Sequence, residues 1–135
     1  MRTFIDTNIL VYAADPAEAT KRLVAQRTLD PLFLHAEAVF STQVLQEYYS
    51  TLIRKLRLPV DVARGQVENL ARLDVVVIDP EMILAAIDLH RLRRIQFWDA
   101  LIIRAAVAGG CARLLTEDLV HGETYEGVTV ENPFR

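Results

Sequence analysis

The chain contains one cysteine, Cys111, so no disulfide can form within it, and this usage fits a reducing compartment such as the cytoplasm. Cys111 follows Gly109-Gly110 and leads into an apolar run, which favours a buried structural thiol over a nucleophile. Histidine is almost as scarce. His35, His90 and His121 are scattered, so a site for a soft metal has no cluster of imidazole and thiolate to draw on. No apolar stretch reaches membrane-spanning length, and Asp6 interrupts the opening where a secretory signal would need an unbroken apolar segment. Positive charge is not in excess either. A net charge of −3 gives no bulk attraction to nucleic acid, so such a partner would have to be held by local clusters. Repeats, low-complexity segments and internal linkers are missing too. What is present is 135 residues, 52% hydrophobic and 24% charged, which predicts one domain over residues 1–135, able to bury a core without staples.

Hydrophobic periodicity switches repeatedly between strand and helix type. Thr3-Phe4-Ile5 suits a strand, and Thr7 and Asn8 are helix-start residues ahead of Ile9-Leu10-Val11-Tyr12. The pattern predicts a helix near Asn8–Ala14, ended by Asp15-Pro16, and a second over roughly Ala17–Leu29. Ala38-Val39-Phe40 reads as a strand, after which Ser41 or Thr42 caps a helix to about Arg57. Pro59 closes it, and Asp61 starts another helix to Leu73. Val75-Val76-Val77-Ile78 is the clearest strand, a β-branched run of the kind buried on both faces. Pro80 opens a helix to Arg93. Asp99–Ala108 is apolar on nearly every side and therefore buried, with Gly109-Gly110 as its stop. Ala112–Leu115 and Val128–Val130 are the last strands, with a polar loop between them. Alternating strands and helices imply βαβ units and a parallel sheet.

Four acids draw attention in this frame. Asp6 ends the first strand, where open α/β sheets build their sites, although an Asx-turn ahead of the helix explains it as well. Asp99 begins the buried helix, as an N-cap or a first-turn acid. Asp118, with Glu117 beside it, follows the strand Ala112–Leu115, and turn chemistry alone accounts for both. Glu47 lies on the flank of the stripe formed by Leu45, Tyr48, Leu52 and Leu56, a position that solvent exposure explains. Together they read differently. Asp6, Asp99 and Asp118 should gather at one edge of a parallel sheet, where carboxylates repel unless one is protonated or a cation is present. A hard divalent ion removes that repulsion. Mg²⁺ takes oxygen ligands, keeps waters and accepts substrate phosphates, and Mn²⁺ has similar preferences. Such a site activates water for phosphodiester hydrolysis.

Four stretches carry a family resemblance: Phe4-Ile5-Asp6-Thr7-Asn8-Ile9-Leu10, Ser41-Thr42-Gln43-Val44-Leu45-Gln46-Glu47-Tyr48, Phe97-Trp98-Asp99-Ala100-Leu101-Ile102, and Leu114-Leu115-Thr116-Glu117-Asp118-Leu119. In this order the chain resembles a PIN-domain ribonuclease, most closely the toxin half of a VapBC-type toxin–antitoxin pair. The closing Asn132-Pro133-Phe134 adds to the likeness. The resemblance implies a three-layer α/β/α sandwich around a parallel β-sheet and metal-dependent endonucleolytic cleavage of RNA. It implies Asp6 and Asp99 as principal ligands of Mg²⁺, with Mn²⁺ as substitute. Glu47 would complete the acidic cluster, and Asp118 would take the family's fourth, more variable position. Thr7, Asn8 and Thr116 match its supporting polar positions. Glu117 competes with Asp118 for the fourth place, and the Thr116-x-Asp118 spacing favours Asp118. The expected products are a 5′-phosphate and a 3′-hydroxyl.

RNA would need local positive charge. Lys21-Arg22 with Arg27, Arg54-Lys55 with Arg57, and Arg91 with Arg93-Arg94 are available, and Arg54 and Arg57 lie on the polar side of the Glu47 helix. The implied partners are an antitoxin and a second copy of the chain. Leu23, Leu29, Leu32 and Phe33 would offer an apolar surface to a partner helix unless they pack in the core. Two other readings remain. A phosphatase with an aspartyl nucleophile typically carries a second Asp two residues on, where this chain has Asn8. A PIN-like interaction module without chemistry would not need to keep all four acids.

Overall fold

A computed structural model describes every residue from Met1 to Arg135. The order is β1 (Thr3–Ile5), α1 (Thr7–Ala14), α2 (Ala19–Leu34), β2 (Ala38–Ser41), α3 (Thr42–Arg54), α4 (Val60–Ala71), β3 (Asp74–Val76), α5 (Pro80–Arg93), α6 (Phe97–Ala108), β4 (Arg113–Leu115), β5 (Thr124–Tyr125) and β6 (Val128–Glu131). One six-stranded sheet runs β3-β2-β1-β4-β6-β5, parallel throughout except for the antiparallel β5–β6 pair. Helices flank it in an α/β/α sandwich, as expected. Strand β5 lies in the stretch that reads as polar loop, because two residues are too few to show a period, whereas β6 matches the expected strand Val128–Val130.

The strand order decides where a site can form. From β1 the chain moves outward through β2 to β3, then returns to lay β4 on the other side of β1. The crevice between the carboxyl ends of β1 and β4 is therefore the topological switch point, the usual ligand position in open α/β sheets. The ladder continues one residue past both strands: Asp6 N–H donates to Leu115 O at 3.0 Å, and Thr116 N–H to Glu131 O at 3.2 Å. Phe4, Ile5, Leu114 and Leu115 are fully buried beneath that edge.

Several elements differ from their sequence patterns. Val75–Ile78 does not form a strand buried on both faces. Its strand, β3, is the sheet's edge, and Val77 is 69% exposed just beyond it. A β-branched run reports strand propensity, which an edge strand satisfies as well as a central one. Helix α2 runs through Pro31 to Leu34, five residues past Leu29, because Leu29 and Leu32 are both buried in the core. That burial outweighs the backbone hydrogen bond that Pro31 cannot donate. Leu23 and Phe33 stay exposed, so the apolar surface around α2 is half core and half solvent-facing. Helix α3 stops at Arg54, with Arg57 in the left-handed region at φ 56°. Helix α4 occupies Val60–Ala71 rather than Asp61–Leu73. Helix α6 starts two residues before Asp99, and Ala100, Leu101, Ile102, Ile103, Ala105 and Ala106 on it are all buried. Of the two candidate caps for α3, Ser41 serves: its Oγ accepts from Val44 N–H at 3.3 Å. Cys111 is buried, and burial pushes its thiol up to about 11, away from nucleophilic chemistry.

Candidate metal centre

Asp6 sits where β1 hands over to α1, and its side chain does two jobs. Oδ1 accepts from the Thr7 backbone N–H at 2.7 Å, capping the helix, while Oδ2 accepts from Thr116 Oγ1 at 2.8 Å. Asp6 thus acts as a helix cap through the next residue's N–H rather than as an Asx-turn, and this leaves the carboxylate in the crevice. Asp118 arrives on the loop after β4. Its own backbone N–H donates to Thr116 Oγ1 at 3.1 Å, and Asn8 Nδ2 donates to its Oδ2 at 2.9 Å. One threonine hydroxyl therefore ties both acids together. Asn8 does what an aspartate there could not, since a carboxylate has no proton to give.

Asp99 completes the group from the first turn of α6. Gln96 holds the N-cap position, so Asp99 is not the cap. Asp6, Asp99 and Asp118 each present an oxygen, and these lie within 4.8 Å of one another. Asp6 is only 5% exposed, Asp99 is half-buried and Asp118 is exposed. Burial lifts the Asp6 carboxyl to about 7, with Asp118 and Glu47 adding to the rise and the bonds from Thr116 and Thr7 opposing it. Burial likewise lifts Asp99 to about 6, again with Asp118 and Glu47 adding, and here no hydrogen bond opposes it. A half-buried carboxylate with no protein donor, facing two others, lacks a positive partner. The donor set is all oxygen, which fits a hard cation such as Mg²⁺ or Mn²⁺.

Glu47 lies outside that group of three but borders the same cleft. It is half-buried rather than open to solvent, and Thr7 Oγ1 donates to its Oε1 at 2.9 Å. Glu117 turns the other way. Its Oε1 accepts from Tyr12 OH at 2.5 Å and its Oε2 pairs with Lys21 Nζ at 3.1 Å, across the Tyr12 ring that Phe134 meets edge-on at 5.0 Å. Asp118 and Glu117 thus have separate surroundings, the crevice for one and the α1–α2 packing for the other. The cleft has a volume of about 480 Å³, and Arg54 and Lys55 line it, whereas Arg57 does not. Gln43 and Trp98 line it too, and the sequence motifs did not single them out. Trp98 had a signal in standing next to Asp99. Gln43 had none, because its role depends on how α3 packs.

A family model described as PIN domain matches residues 3–126. Comparison with curated proteins finds no match. Among solved structures, a toxin–antitoxin complex from Klebsiella pneumoniae superposes with a TM-score of 0.68 at 18% identity, covering 97% of each chain. VapBC2 from Rickettsia felis, bound to a DNA fragment of its promoter, gives 0.66 at 20% identity over 98% of each chain. The sarcin–ricin-loop-cleaving toxin VapC20 of Mycobacterium tuberculosis gives 0.64 at 20% identity, over 83% of this chain and 86% of that one. At these identities the likeness is one of fold.

Proposed function

The chain belongs to the PIN-domain family, and from that membership we propose that it is an Mg²⁺- or Mn²⁺-dependent endoribonuclease and the toxin of a toxin–antitoxin pair. The observation that carries the reading is the trio Asp6, Asp99 and Asp118, in which Asp99 has no protein donor. These three carboxylates would hold the cation. A cation bound there would supply Lewis acidity, activating water and offsetting negative charge on the phosphoryl group.

The chain's own residues do the rest. Thr116 and the Thr7 N–H fix Asp6, and Asn8 fixes Asp118, so the ligands are set before substrate arrives. Thr7 occupies Glu47 Oε1 and leaves Oε2 free to take a proton from the attacking water. Arg54 and Lys55 hold the flanking phosphates in the cleft. The water oxygen bonds to phosphorus, the bond to O3′ breaks, and the departing O3′ takes up a proton. The products are a 5′-phosphate and a 3′-hydroxyl.

The chain acts as one domain over residues 1–135, in the cytoplasm where its RNA is. Its apolar surfaces fit assembly: Leu23, Phe33 and Leu34 on α2 for an antitoxin, and Ile83, Leu84 and Ile87 on α5 for a second copy. Two of the similar structures are themselves toxin–antitoxin assemblies. No helix is long and apolar enough to cross a membrane. Purified protein should cleave RNA with Mg²⁺ or Mn²⁺, lose cleavage in EDTA and regain it on adding Mn²⁺ in excess. Undiminished cleavage in EDTA would refute the mechanism.

A further inference from the structure

We propose that the Trp98 indole is a stacking platform for a nucleobase of single-stranded RNA beside the scissile phosphate, a subsite that rests on the nuclease reading above. Trp98 is 60% exposed although it belongs to α6, where Ala100, Leu101, Ile102 and Ile103 are all buried. An indole left in water forgoes the large apolar burial its size allows. Its position is not incidental, since it precedes Asp99 and lines the cleft that Asp6, Asp99 and Asp118 share.

The backbone that carries the platform is tied, and the ring has one aromatic neighbour. Phe97 meets the indole edge-on at 5.0 Å, which covers at most one face, and Gln43 Nε2 donates to the Trp98 carbonyl at 3.4 Å. An exposed aromatic face recognises the flat surface of a nucleobase and tolerates any of the four. The charges nearby suit a polynucleotide. Arg54 and Lys55 line this cleft, and a second cleft, sharing Gln96, Asp99 and Asp118, brings in Arg94. Arg54, Lys55 and Arg94 thus border clefts that share these carboxylates, where they can hold a phosphate backbone while a base turns onto Trp98. Arg94 holds φ 57°, a left-handed position that glycine would take with less strain, so its side chain is present at a conformational cost.

Trp98 is the only tryptophan in the chain, so its fluorescence reports this site alone. Wild-type protein in Mg²⁺ is mixed rapidly with oligo(A) or oligo(U) RNA, and with an abasic oligomer of equal length, and emission is followed before turnover. The base-bearing oligomers should quench Trp98, and the abasic one should not. Trp98→Ala should weaken binding of labelled oligo(A) by about fivefold or more, with the abasic oligomer bound as before, and Trp98→Phe should recover much of the loss. Unquenched emission on RNA binding, or unchanged oligo(A) affinity in Trp98→Ala, overturns the platform and leaves the nuclease reading standing. Loss of a dimer in Trp98→Ala with RNA affinity intact overturns it too, in favour of a protein contact. Failure of the wild type to bind or cleave any RNA overturns both readings together.

Discussion

Replacing Asp99 with asparagine changes charge at nearly constant shape, and the structure says what should follow. In the folded protein the carboxyl is raised from 3.8 to about 6, by burial first and then by Asp118 and Glu47. A raised carboxyl stabilises the fold only while protonated. Its contribution is complete below about pH 4 and lost as pH climbs through about 6. At roughly 1.4 kcal/mol per pH unit the loss at pH 8 is about 3 kcal/mol, and partial solvent screening of a half-buried group brings it nearer to about 1.5. Asparagine removes that penalty. It also removes a negative charge from the first turn of α6, which costs about 0.5 kcal/mol against the helix dipole. No hydrogen bond is lost, since none reaches Asp99. The metal-free variant should therefore be more stable than wild type by about 1 kcal/mol at pH 8, raising Tm by about 3–5 °C for a chain of this length. Excess Mn²⁺ should invert the order, because wild type gains about 2.7 kcal/mol at a hundredfold excess over Kd and the variant gains less. Scanning calorimetry in EDTA and in Mn²⁺, with a cleavage assay alongside, measures all three effects. A variant that melts below wild type in EDTA, responds equally to Mn²⁺ or still cleaves RNA would refute a role for Asp99 in holding the cation.

Other outcomes follow from the same geometry. Asp6 is raised to about 7 and Asp99 to about 6, both by burial first, so the metal-free protein should melt lower at about pH 8 than at about pH 5. Saturating Mn²⁺ should flatten that slope, and a reversed slope in EDTA would contradict the burial of Asp6. Asp118→Asn should lose most of the Mn²⁺-induced rise in Tm, whereas Glu117→Gln, which disturbs only the contacts to Tyr12 and Lys21, should keep it. Equal responses in the two variants would remove the distinction between the neighbouring acids. Thr116→Val strips Asp6 Oδ2 and the Asp118 N–H of a shared partner, so it should cost about 1–3 kcal/mol in urea unfolding and weaken Mn²⁺ binding in titration calorimetry. An unchanged urea midpoint would mean that water replaces the hydroxyl.

The sequence by itself determined the alternation of strands and helices, and with it the parallel sheet, because apolar period and start–stop residues are local properties. It also carried the motifs that resemble the PIN family, and the family model bears that likeness out. Asp6 and Asp118 could be placed after strand ends because Thr3–Ile5 and Ala112–Leu115 announce themselves as strands. Tertiary structure decided what depends on neighbours distant in the chain. Val75–Ile78 looks like a central strand and is an edge, because strand order lies in the crossovers rather than in any one strand's composition. Pro31 and Leu29 look like a helix end, yet α2 continues, because burial of Leu32 outweighs the missing hydrogen bond. Glu117 and Asp118 differ by one position and face opposite ways, one to Lys21 and Tyr12, the other to Asn8 and Asp6. The Thr116-x-Asp118 spacing favoured Asp118, but where each side chain turns is set by partners about a hundred residues away that only the folded sheet brings near.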